Sequence, residues 1–243
     1  MKGKKTMSFF KNTFTKNTTE NTEATAKPEN NICELVFILD RSGSMGGLEK
    51  DTIGGFNALI EKQKKEEGEC LVTTVLFDHE SEMIHDRVNL KKISPMTDKE
   101  YYVRGSTALL DAVGQTIEHI DNVRKYIRSE DVPSKTLFVI TTDGMENASR
   151  RFNAEKIKSM VKSKQEKDGW EFIFMGANID AVSAADNIGI QEEHAVRFNS
   201  DSEGTAINYD AVCYAASAVR RSAPLGAEWK KEIERDFKAR GTK

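Results

Sequence analysis

The run Ile32-Cys33-Glu34-Leu35-Val36-Phe37-Ile38-Leu39 leads directly into Asp40-Arg41-Ser42-Gly43-Ser44. An apolar run of that length, closed by Asp and then by Gly and Ser, reads as a buried strand whose carboxyl end opens into a loop. The loop offers one carboxylate and two hydroxyls at alternate positions, all of them hard oxygen donors. Such donors suit Mg²⁺, which takes near-octahedral oxygen coordination and usually keeps some of its waters.

Two later segments share this character. Gly105-Ser106-Thr107-Ala108-Leu109 opens a helical pattern carried by Leu109, Val113, Thr116, Ile120, Val123 and Ile127. Leu137-Phe138-Val139-Ile140-Thr141-Thr142 is a further buried strand, closed by Asp143-Gly144. Taken singly, Asp40 or Asp143 could cap a helix, and Ser42, Ser44 or Thr107 could cap helices or brace turns. Taken together and in this order, the three segments resemble the metal-ion-dependent adhesion site of von Willebrand factor type A (vWA) domains. The resemblance spans about residues 32 to 221, with no departure at the five metal-site positions. It implies that Ser42, Ser44 and Thr107 offer hydroxyls to Mg²⁺, with Mn²⁺ or Ca²⁺ as substitutes, while Asp40 and Asp143 bind directly or through water. It also implies a protein partner whose Asp or Glu completes the coordination.

Strands and helices alternate from Ile32 onward, the pattern of a parallel sheet covered by helices on both faces. Strands are expected at Leu71–Phe77, Met83–Val88, Trp170–Met175 and Ala195–Phe198, with Met83–Val88 returning antiparallel at the edge. Helices are expected from Leu48, and over 153–167, 179–188, 204–221 and 227–240. The expected fold is an open, mostly parallel, Rossmann-like sheet of about six strands with one antiparallel edge strand. Residues 31–221 would form the domain and 222–243 a charged helical extension. Residues 12–22 hold eight Asn or Thr in eleven positions. That composition cannot offset its ordering entropy, so 1–30 reads as a disordered polar tail. Phe9, Phe10 and Phe14 are candidates for a short docking patch there.

Charge narrows the partner class. Residues 1–31 carry six Lys against three Glu, and the remainder carries 30 basic against 36 acidic residues. An acidic domain lacks the basic face that nucleic acid or an anionic membrane surface needs. Cys33, Cys70 and Cys213 have neither zinc nor disulfide spacing and read as buried free thiols of a reducing compartment. The first residues lack an apolar h-region, and no segment reaches transmembrane length. A cytoplasmic, bacterial or phage-type stand-alone vWA protein is therefore expected. In such relatives the partner is often an AAA+ ATPase complex or a stress-resistance component.

Catalysis is not expected. His79, His85, His119 and His194 lack a partner at metal-binding spacing, and no His lies in the three site segments to serve a Ser nucleophile. A metal-dependent hydrolase and a scaffold with metal-independent binding stand as the alternatives. Arg41, Met45, Arg104, Glu146 and Asn147 lie on the site loops, either shaping a partner surface or simply exposed to solvent. Asp111 reads as a helix-surface group or one that supports the ligands. The resemblance to integrin inserted domains further suggests that partner binding shifts helix 204–221.

Overall fold

The structure is a computed structural model that describes residues 30–241. The tail and its Phe9, Phe10 and Phe14 patch lie outside the described residues, apart from Asn30. Six strands form one sheet: β1 (Cys33–Asp40), β2 (Cys70–Phe77), β3 (Ser81–Asn89), β4 (Lys135–Thr142), β5 (Glu171–Gly176) and β6 (Ala195–Arg197). Their order is β3-β2-β1-β4-β5-β6, and every pairing is parallel except β2 with β3. All eight residues of β1 are buried, as expected of a central strand covered on both faces. The sheet is therefore the mixed, Rossmann-like one anticipated, with its antiparallel strand at the edge.

Helices cover both faces. Helix α1 (Glu49–Gln63) and α5 (Ser202–Arg220) pack with Leu35, Phe37, Leu39 and Val139 on one side. On the other, α2 (Leu109–Arg124), α3 (Ala154–Asp168) and α4 (Ala181–Asn187) pack with Val36, Ile38, Phe138 and Phe172. Alternate residues of β1 thus serve opposite cores, the period-two rule at work. Gly55 lets α1 and α5 approach closely, since a Cβ there would stand 2.1 Å from the Tyr209 ring.

Local chemistry sets several ends. Asn153, Asp180 and Asp201 each accept a backbone N–H of the first turn that follows, at the starts of α3, α4 and α5. Helix α2 stops at Arg124, so Ile127 lies beyond it and not within it as its spacing suggests. The stretch expected as one helix over 227–240 is a 3-10 turn, Ala227–Lys230, followed by α6 (Lys231–Arg240). Trp229 and Ile233 are buried in the core on the α5 side, and the Lys230 ammonium donates to the carbonyls of Glu192 and Ala195. Cys33 and Cys70 are buried neighbours in register, whereas Cys213 is only half-buried, on α5.

Candidate metal centre

Strand β1 ends at Asp40, which the flanking strands bury almost completely. Both its carboxylate oxygens are held: Oδ1 accepts the Ser42 amide at 2.7 Å, and Oδ2 accepts the Thr142 hydroxyl at 2.6 Å. Its carbonyl accepts the Tyr101 hydroxyl at 2.6 Å. The chain then turns through the 3-10 segment Gly43–Met45, bringing the Ser42 and Ser44 hydroxyls to 3.1 Å from each other. Thr107 arrives from the loop before α2 and donates to the Ser42 hydroxyl at 3.1 Å. Asp143, one residue past β4, accepts the Ser44 hydroxyl at 2.5 Å. Three segments spread over about a hundred residues of sequence therefore meet beyond the carboxyl ends of β1 and β4, where open α/β sheets bind ligands.

Electrostatics mark the cluster as incomplete. Burial holds the carboxyl of Asp40 above the usual carboxylate range, although Thr142 and Ser42 pull it down, and the charge of Asp143 adds to the rise. Burial likewise raises Asp143 against the bond from Ser44. Among the described residues, the partners of both carboxylates are hydroxyls and a backbone amide, with no basic side chain. Asp143 Oδ2 is buried and has no hydrogen-bond partner at all. A buried anionic oxygen without a partner is expensive, and a cation relieves it.

The residues fit a hard divalent ion. Two carboxylates and three hydroxyls are an all-oxygen set suited to Mg²⁺, Mn²⁺ or Ca²⁺. Among the described residues there is no group of three or more His, Cys, Asp or Glu placed to hold a metal, so a Cys/His zinc cage is not what is built here. Gly144 keeps the space between the hydroxyls open: a Cβ there would lie 3.2 Å from both Ser44 Oγ and Thr107 Oγ1. Ser44 is the exposed member, and beside it opens a groove of about 820 Å³. Ser44 and Gly47 form one wall of this groove, and Asn199, Asp201 and Arg240 line the other.

Several loop residues differ from their reading in the sequence. Arg41 is fully buried and Met45 is 4% exposed, so neither presents a partner surface. Arg41 turns away to Asp78, and Met45 faces the interior. The Glu146 carboxylate accepts the amides of Leu110, Ala148 and Ser149, and the Asn147 side-chain oxygen accepts that of Thr107 at 2.9 Å. Both residues thus brace the Thr107 loop against the Asp143 loop. Asp111 accepts the amides of Arg150, Arg151 and Phe152, supporting the same loop from α2. Asp78, Tyr101 and Thr142 were missed as contributors. Asp78 carries the signal that Asp40 and Asp143 share, an Asp closing an apolar strand, but its place in the hairpin turn reads as turn chemistry.

No protein-family model and no curated protein sequence matches the chain. Solved structures do resemble it. Proximal thread matrix protein 1 from the mussel byssus aligns over 77% of this chain and 47% of its own, with 16% identity and a TM-score of 0.52. A von Willebrand factor type A protein from Catenulispora acidiphila aligns over 78% of this chain and 43% of its own, with 13% identity and a TM-score of 0.53. The von Willebrand factor domain of the type V pili tip protein Mfa5 from Porphyromonas gingivalis aligns over 75% of this chain and 94% of its own, at 12% identity and 0.53. The chain thus spans under half the length of the first two. The fold is that of von Willebrand factor type A domains. In one of these neighbours, the mussel protein, a structure has zinc occupying the metal-ion-dependent adhesion motif.

Proposed function

We propose that this chain is a divalent-cation-dependent protein-binding module of the vWA kind. Asp40, Ser42, Ser44, Thr107 and Asp143 would hold the ion, with Mg²⁺ as its physiological form. The observation that carries the reading is the buried, unpartnered Oδ2 of Asp143 at the end of a continuous chain of oxygens. The metal-occupied motif of the mussel neighbour supports a divalent ion in a fold of this type. When bound, Mg²⁺ supplies an electrophilic centre able to take a further oxygen ligand.

The residues divide the work. Asp40 is locked by Ser42 and Thr142 and fixes the floor of the site. Asp143 would balance charge from the neighbouring strand β4, while the exposed Ser44 faces the groove through which a partner would approach. A partner Asp or Glu is the natural last ligand, because carboxylate oxygen matches the donor set and its charge is attracted to the ion where water is excluded. None of the histidines hydrogen-bonds to Ser42, Ser44 or Thr107 among the described residues, which supports binding over hydrolysis.

A cytoplasmic setting belongs to the same proposal, supported by three free cysteines of which two are register neighbours. No helix among the described residues is long and apolar enough to cross a membrane. The partner class to test first is an AAA+ ATPase or a stress-resistance complex component. Titration calorimetry is expected to detect Mg²⁺ binding to the wild type and none to Asp143→Ala. Equal binding by both would overturn the assignment. Affinity capture would then compare Mg²⁺, EDTA and Asp143→Ala. A protein held only by wild type with Mg²⁺ supports the metal-bridged contact, and one held in all three conditions rules it out.

A further inference from the structure

We infer that Arg41, Asp78 and Arg104 are positioning residues for the metal centre: a single ion-paired knot holds the Asp40–Ser44 loop against the Thr107 loop. The inference rests on the metal-binding reading above and adds residues outside the five ligands. Arg41 lies between Asp40 and Ser42 in the chain, so its placement sets theirs. Its side chain is 0% exposed, with Nε 2.9 Å from Asp78 Oδ2 and Nη1 2.8 Å from Glu82 Oε2. Arg104, three residues before Thr107, brings its Nε to the same Asp78 Oδ2 at 2.9 Å. One carboxylate oxygen thus receives a guanidinium from each of these two ligand-bearing loops.

The backbone follows the side chains. The amide of Arg104 donates to the carbonyl of Arg41 at 2.9 Å, and that of Gly43 to the carbonyl of Gly105 at 3.1 Å. Asp78 also accepts on its carbonyl the amide of Ala108, next to Thr107, at 2.8 Å. Tyr102 lies over both guanidiniums, with its ring centre 5.1 Å from Arg41 and 5.7 Å from Arg104. Gly105 has φ +68, and a Cβ there would stand 2.2 Å from the His79 ring. Any other residue there would carry backbone strain and have to displace the His79 ring. Each of these contacts fixes the approach of Thr107 Oγ1 to Ser42 Oγ, which no covalent or sheet connection sets directly.

The same knot also settles a charge problem. Two guanidiniums beside a site for a dication would repel it, and the carboxylates of Asp78, Glu80 and Glu82 answer them. Positioning and neutralisation make opposite predictions for one substitution. Arg41→Met removes a positive charge near the ion: it should strengthen binding if neutralisation is all the knot does, and weaken it if the knot positions ligands.

The test measures Mn²⁺ affinity by electron paramagnetic resonance of the free ion, with Tm read in parallel in EDTA. Arg41→Met and Asp78→Asn are each expected to weaken Mn²⁺ binding by roughly 10–100-fold, the usual effect of removing groups that orient metal ligands. Arg41→Lys, which keeps the charge but loses the planar fork, should stay weakened. Arg104→Met, at a half-exposed position, removes one arm of the knot and should give a smaller loss in a folded protein, so a failure of the buried variants to fold does not end the test. Wild-type affinity in Arg104→Met and in any folded Arg41→Met would overturn the inference. Absence of Mn²⁺ binding by wild type, or unchanged binding in Asp143→Ala, would instead overturn the metal-binding reading beneath it.

Discussion

The two ends of the sheet both bury charge, and they treat it differently. At the amino end, Arg220 on α5 is 6% exposed and donates to the carbonyls of Gln63, Glu66, Glu67 and Gly68, closing the last turn of α1 and the loop beyond. Glu34 at the same end is answered by Arg124 at 2.8 Å and faces Arg87. At the carboxyl end, Asp40 and Asp143 have hydroxyls and one amide for company, and an oxygen of Asp143 has nothing. Glu34 Oε1 also lacks a hydrogen bond, but it faces an opposite charge of its own chain at 3.6 Å, and such pairing stabilises the fold. Asp40 and Asp143 have no countercharge among the described residues, which is where the proposed cation would act.

That contrast can be broken from either side. Asp143→Ala is expected to lower divalent-metal affinity by at least about 100-fold while leaving Tm in EDTA equal or higher, because it removes a desolvated carboxylate. Calorimetric titration beside a melt in EDTA reads both. Arg220→Met should do the reverse, with unchanged metal affinity and a loss of about 3 kcal/mol, the order expected for several hydrogen bonds to one charged group. In a domain of this size that corresponds to a Tm drop of roughly 6–12 °C. A metal-site phenotype in Arg220→Met would mean that the two ends are not separable.

The smallest expected effect sharpens the comparison through pH. Burial places the folded-state carboxyl of Asp143 above its unfolded value, so the folded chain holds that proton more tightly. Relative to Asp143→Asn, metal-free wild type should therefore lose stability as pH rises from the ordinary carboxylate range through the raised folded value, and regain it as pH falls. Saturating Mg²⁺ should reverse that slope in wild type, because binding the ionised form pulls the folded-state value below the unfolded one. A melting series in EDTA and in Mg²⁺ checks it, and identical pH slopes for the two proteins in EDTA would show that Asp143 is not desolvated.

The sheet was legible in the sequence because central strands buried on both faces leave runs that are mostly apolar or β-branched, as β1, β2 and β4 do. The convergence of Asp40, Ser42, Ser44, Thr107 and Asp143 could be anticipated for a related reason. Each lies at or just beyond the end of such a run, or at the start of a strongly periodic helix. Arg41 and Met45 were not readable in the same way. A loop arginine is ordinarily solvated, and what buries this one stands 37 and 41 residues downstream, at Asp78 and Glu82. The end of α2 was overrun for a parallel reason: Ile127 keeps the apolar period, but the chain turns after Arg124, whose guanidinium pairs with Glu34 in β1. Local periodicity carries no record of partners so far away.

The pairing of Arg240 with Asp201 and Asp236 has a practical reading. It pins the end of α6 so that Gly241 borders the same groove as Ser44. Asn30 is fastened instead to the carbonyls of Glu130 and Val132, beside the start of β4 at the far end of the strands. Anchoring the protein to a sensor surface through its amino side leaves the groove facing solution. A tether or fusion attached just past Gly241 would start at the groove's rim and crowd it.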